Sequence, residues 1–220
     1  MTEQPLAPER ADLIEALRRH RGFLLQTADA LTEEQARTRS SVSQLTIASL
    51  LKHVADTEEQ WLRFAVAGAS AFEGTGVYES DIDWDAVTAE ADENGGDWAD
   101  SEWEDDRFLL SDEETLPWLR ERVAHVAAAT EEVLATADLD ARHPLPSAPW
   151  FEQGVSWSVR RVALHVLAEI SQHAGHADII RESIDGKGSY ELNALADGEQ
   201  WPAWGDGEWT DSEWSAAGAE

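Results

Sequence analysis

The chain has 220 residues, 42% of them hydrophobic, enough for one domain with a proper core. A formal charge of −29 argues against nucleic acid and anionic membrane surfaces as partners, and no apolar run approaches the roughly 20 residues of a membrane span. Cysteine is absent, which removes disulfides, Cys-based zinc sites and a Cys nucleophile; a thiol handled here must arrive with the substrate.

Met1-Thr2-Glu3-Gln4 has neither the basic start nor the apolar stretch of a secretion signal, so the expected address is cytoplasmic. From about Pro8, apolar Leu13, Leu17, Leu24, Ala28 and Leu31 recur at helical spacing and predict a first helix over 9–31. Thr32-Glu33-Glu34-Gln35 reads as a capping box opening a short helical turn. Thr46 is an N-cap for a second long helix that runs to about Gly68. Its apolar stripe holds Leu50, Val54, Trp61 and Leu62, with His53 among them. Residues 70–110 are rich in Gly, Asp, Glu and Trp and predict a long surface insertion with little regular structure.

Ser111-Asp112-Glu113-Glu114 is a second capping box and predicts a third helix to about Ala137. Pro117 falls in its first turn or two, and Leu116, Leu119, Val123, Val126 and Val133 form its buried stripe. A Pro-rich loop follows over 138–155. The last long helix starts near Ser156–Ser158 and ends at the natural C-cap Gly186. Residues 187–220 read as an irregular Gly- and Trp-rich tail with a few short turns. No strand pattern appears. The expected fold is therefore all-α: an antiparallel four-helix bundle over 1–186, carrying the acidic insertion, with the tail at 187–220. Trp84, Trp98 and Trp103 of the insertion and Trp201, Trp204, Trp209 and Trp214 of the tail are expected to cover one another near the open end of the bundle. The echo of Trp98-Ala-Asp-Ser-Glu-Trp103 in Trp209-Thr-Asp-Ser-Glu-Trp214 is read first as chance in a chain this rich in Trp and acid, the alternative being a pair of equivalent aromatic anchors on the rim of a pocket.

Chemistry concentrates on the last helix. At about 100° per residue, His165, Glu169, His173 and His176 fall within an arc of roughly 80°, shared with apolar Val162 and Ile180. Polar side chains on an inward face need a reason, because burying them unpaired costs free energy. The i, i+4 spacing brings Glu169 and His173 to one point, and facing helices of bundles build metal sites in this way. His53, on the apolar face of the second helix, is the best third ligand. Two His and one Glu make a catalytic-type zinc set with a position left open. A single buried His would more often be a hydrogen-bonded core residue; several on one arc with a Glu shift the balance toward a divalent ion.

These residues carry a resemblance. Glu169-x-x-x-His173-Ala174-Gly175-His176-Ala-Asp178-Ile-x-Arg181-Glu182-x-Ile184-Asp185-Gly186, with Leu50-Leu51-Lys52-His53-Val54-Ala55-x-x-Glu58-x-x-Trp61, resembles the DinB-like superfamily of metal-binding four-helix bundles, in its actinobacterial, mycothiol-transferase-like branch. The likeness spans about residues 9–190. It implies a metal held by His53, Glu169 and His173. Many relatives have His where Glu169 stands, whereas the mycothiol-dependent isomerases use Glu. His165 and His176 are then candidates to orient the ligands, and His176 is also a candidate to face substrate. Arg181 reads as part of a charged helix end or, more sharply, as an anion clamp. Trp61 is a candidate for the cleft wall.

The implied activity is a metal-dependent transferase that activates a low-molecular-weight thiol, mycothiol by analogy, for attack on an electrophile. The implied cofactor is one divalent ion, zinc first, with nickel, iron or manganese able to bind. One alternative is a metal-dependent hydrolase using metal-bound water, with Glu58 or His176 as base. Another is a non-enzymatic metal- or ligand-binding stress protein. The expected partners are small molecules, and the expected state is a monomer or homodimer.

Overall fold

The computed structural model describes residues 6–72, 106–146 and 151–198. It is mainly helical. Four long helices dominate: α1 (Pro8–Gln26), α3 (Ile47–Ala67), α4 (Leu116–Thr136) and α5 (Val159–Asp185). Two short ones accompany them, α2 (Glu33–Ala36) and α6 (Ser189–Ala196). α1 packs along α5, and α3 packs between α4 and α5, so each long helix touches two others. Their shared interior is aliphatic and aromatic: Leu17 and Leu24 of α1, Leu50 and Phe64 of α3, Leu119 of α4 and Ile170 of α5 are fully buried. Removing such surfaces from water is the main driving force of the fold.

Local chemistry sets several helix ends. Thr46 and Ser49 form a reciprocal capping box on α3, and Thr32 and Gln35 do the same on α2. The Ser158 hydroxyl accepts from the Arg161 N–H at the start of α5, and Gly186, left-handed at φ 80°, ends it. Gly68 closes α3 at φ 72°, a conformation that favours glycine, and a Cβ there would stand a tight 3.0 Å from Nδ1 of His143.

Four expectations need correction. First, α1 ends at Gln26 rather than near Leu31. The chain turns over Thr27–Ala30, with Ala30 at φ 58°, and the Arg181 guanidinium donates to the carbonyls of Thr27 and Asp29 at 2.8 and 2.7 Å. Second, α4 starts at Leu116, not Ser111. The Glu114 carboxylate does accept from the Ser111 N–H at 2.7 Å. Pro117, which has no N–H to donate, belongs in a helix's first turn and so sits near the true start. The Leu116 N–H is capped from elsewhere, by Glu33 Oε1 at 2.6 Å. Third, the loop after α4 holds two short antiparallel strands, β1 (Arg142–Pro144) and β2 (Ser156–Ser158), pairing His143 with Trp157. Three-residue strands are too short to show alternation in sequence. Fourth, α6 lies in the stretch expected to be irregular and packs on α1.

Most of the 70–110 insertion, the seven tryptophans of the insertion and tail, and their Trp-Ala/Thr-Asp-Ser-Glu-Trp echo lie outside the described residues. Among the described residues, no helix is long and apolar enough to cross a membrane.

Candidate metal centre

α5 buries Val162, Val166, Ile170, Ala174 and Ala177 against the core. His165, Glu169 and His173 run beside this stripe, on the edge of the buried face rather than in its middle. The side chains of His165 and Glu169 are each 28% exposed, and that of His173 is 12% exposed. This edge position makes the centre reachable from solvent.

Across from them, α3 presents His53, which is 6% exposed. Its ring meets His173 edge-on, with centroids 4.7 Å apart. One ligand atom from each of His53, Glu169 and His173 lies within 4.8 Å of the other two. His173 Nε2 stands 3.6 Å from Glu169 Oε2. Two donors bonded at ordinary zinc distances in a tetrahedron lie about 3.4 Å apart, so this pair already has the spacing of co-ligands. Two imidazoles and a carboxylate fit a divalent ion in donor chemistry as well as in placement. Among the described residues no fourth ligand joins them.

The electrostatics favour the deprotonated carboxylate. His173 facing Glu169, aided by His165 and His53, holds the Glu169 carboxyl below the usual carboxylate range against the opposing effect of burial. Glu169 Oε1 faces His165 Nε2 at 3.8 Å. Burial pushes the His165 imidazole below its ordinary value; Glu169 opposes that and Arg161 adds to it. On the other side, His176 Nδ1 lies 3.4 Å from His173 Nδ1.

The centre opens onto a cleft of about 640 Å³ to which His53, Glu169 and His165 contribute. One wall is aromatic. Trp61 and Trp157 stack with centroids 4.9 Å apart and planes 15° apart; His165 is edge-on to both, and Phe151 closes on Trp61 at 6.0 Å. The Arg161 guanidinium covers Trp157 at 4.6 Å. Polar side chains line the cleft too, Asp56, Thr57, Glu59, Gln60 and Arg63 of α3 among them. Phe108, in a 3-10 turn at Asp106–Phe108, lies against the His53 ring at 4.4 Å.

Of the residues singled out in sequence, the structure thus gathers His53, Glu169 and His173, with His165 and Trp61 on the cleft and His176 behind His173. Two stand elsewhere. Glu58 is 2% exposed and takes two hydrogen bonds from Arg21, at 3.0 and 2.7 Å. Five residues along α3 place it about 140° around the axis from His53, so it faces α1 and does not line the cleft. Its expected role as a base is replaced by that of an ion-pair partner. Arg181 is 1% exposed, and besides the two carbonyls after α1 it binds both oxygens of Asp185 at 2.9 and 2.8 Å. An anion clamp needs donors aimed into the cleft; these are spent on tying α5 to the turn after α1. The sequence reading missed Trp157, Phe151 and Phe108. Nothing in their spacing marks them, because the β1–β2 pairing and the return of the chain at Asp106 bring them to the site.

Fold and centre together define a mainly helical protein with a two-His, one-Glu cluster able to hold a metal, on the rim of a cleft. The family model for mycothiol-S-transferases matches residues 12–186, most of the chain, and this protein belongs to that DinB-like family. Searches of curated proteins and of solved structures returned no match.

Proposed function

We propose that this protein is a metal-dependent S-transferase that joins a low-molecular-weight thiol, mycothiol or a close analogue, to an electrophilic small molecule. We read its four long helices as an antiparallel bundle of the DinB-like type spanning 1–186, interrupted by an acidic, Trp-rich insertion and followed by the 187–220 segment, and we place it in the cytoplasm. The family match over 12–186 falls within the first of these spans. The observation that carries the functional reading is the convergence of His53, Glu169 and His173 beside an open cleft in a chain of this family.

In this reading His53, Glu169 and His173 are the ligands, and their donor set suits zinc first, with nickel, iron or manganese also able to bind. Bound there, a divalent ion would keep a net positive charge beside the single carboxylate and so favour a thiolate at neutral pH. Trp61, Trp157 and Phe151 keep water from one side of the cleft. Asp56, Thr57, Glu59 and Gln60 offer hydrogen-bonding partners to a polar, hydroxyl-rich thiol. The S–H bond is exchanged for an S–C bond; at the acceptor carbon a C–halogen bond breaks and halide leaves, the proton passing to solvent, or an epoxide C–O bond breaks and the freed oxygen takes the proton as a hydroxyl. A closed, purely structural site would bring in a fourth protein ligand; among the described residues none joins the three, and the cleft beside them supports the enzymatic reading over a storage or stress-binding one.

The test follows acceptor consumption by mass spectrometry with mycothiol and an aryl halide or epoxide. Protein stripped by chelator is compared with protein reloaded with zinc. Thioether formation that needs both thiol and metal is expected. Unchanged turnover after metal removal would sink the reading, and acceptor breakdown with water alone would replace it with a hydrolase.

A further inference from the structure

We infer that His176 is a positioning residue that fixes the ring of His173 for metal binding by accepting a hydrogen bond from its Nδ1–H. The inference rests on the reading of His173 as a ligand. His173 turns Nε2 toward Glu169, 3.6 Å away, so Nε2 is the nitrogen aimed at the cluster. Its other nitrogen, Nδ1, points out of the cluster at His176 Nδ1, at 3.4 Å. The two rings are edge-on, centroids 5.4 Å apart. Among the described residues this is the only hydrogen-bonding partner of His176, and His176 is neither part of the convergent ligand set nor on the cleft.

The chemistry assigns the protons. A ligating imidazole binds through an unprotonated nitrogen, so with Nε2 in the cluster the His173 proton sits on Nδ1. That N–H is half-buried between helix residues and requires an acceptor, and His176 Nδ1 provides it. An outer hydrogen bond of this kind fixes tautomer and ring rotation together. The helix makes the pairing local: residues 173 and 176 are i, i+3 neighbours on one face of α5. The roles on α5 then divide along the helix axis. His165 flanks Glu169 on the cleft side, and His176 braces His173 from behind.

The experiment titrates Co²⁺ into the metal-free full chain and its variants, reading affinity by chelator competition and geometry by the visible Co²⁺ spectrum. His176→Phe keeps a ring without an acceptor, and His176→Gln restores an acceptor oxygen. Weakening of Co²⁺ binding by about 10–100-fold is expected in His176→Phe, with most of it recovered in His176→Gln and with the thermal midpoints of the metal-free proteins unchanged. Parent-like affinity and spectrum in His176→Phe would overturn the inference. So would an equal loss in both variants accompanied by a changed coordination spectrum, which would make His176 itself a ligand. If His53→Ala and His173→Ala also leave Co²⁺ binding untouched, the fault lies with the ligand assignment beneath the inference.

Discussion

α3 carries two buried polar residues five positions apart, His53 and Glu58, and their surroundings could hardly differ more. Glu58 belongs to a closed cluster. Both its oxygens are bonded to Arg21, and the pair is shut between α1 and α3 with 4% and 2% of the side chains exposed. Arg181 with Asp185 and the carbonyls of Thr27 and Asp29 repeats the pattern in the turn just past the C-terminal end of α1. His53 belongs to an open cluster. It shares a few ångströms with Glu169 and His173, and the cleft begins at its side. A closed polar cluster satisfies itself and tells the helices how to align. An open one keeps lone pairs aimed at a common point, and those are what a cation can use.

The largest loss is expected at the closed cluster. Arg21→Met leaves the Glu58 carboxylate buried without its partner and is expected to cost about 3–5 kcal/mol of stability, read from urea denaturation, while zinc binding by the protein that remains folded stays parental. If Arg21→Met instead abolished zinc binding in folded protein, the two clusters would be one. The open cluster should behave in the opposite sense. Zinc at a hundred times its dissociation constant should stabilise the parent by about 2.7 kcal/mol and leave His173→Ala and His53→Ala unmoved; the metal-free variants should lie within about 1 kcal/mol of the metal-free parent. Equal stabilisation of parent and variants by zinc would remove these two residues from the ligand set.

Smaller effects sharpen the frame around both clusters. Thr46→Ala removes half the reciprocal cap that starts α3 seven residues before His53, and should cost about 1 kcal/mol with zinc affinity unchanged. A calorimetric midpoint equal to the parent's would mean the cap contributes nothing. Smallest of all is the exposed pair of Arg18 and Glu131, whose side chains are 57% and 25% exposed. Arg18→Ala should change stability by less than about 1 kcal/mol, and by less still in 1 M salt. A loss as large as that of Arg21→Met would show that exposure does not separate the two ion pairs.

Much of this molecule follows from local rules. Thr46, Thr32 and Ser158 cap helices, Gly68 and Gly186 end them, and the apolar periodicity of α3 and α4 marks the faces that are buried, because backbone hydrogen bonding and side-chain spacing act over four or five residues at a time. The i, i+4 pair of Glu169 and His173 is legible for the same reason. The tertiary structure alone decided what lies across helices. It ended α1 at Gln26 and tied the turn that follows, through the Thr27 and Asp29 carbonyls, to Arg181, began α4 at Leu116 with a cap borrowed from Glu33, and paired β1 with β2 so that Trp157 stacks on Trp61. It also turned His53 toward the cleft and Glu58 toward Arg21. Both are polar residues on the buried side of one helix, and only the charge and shape of the opposing helices distinguish the ligand candidate from the ion-pair partner.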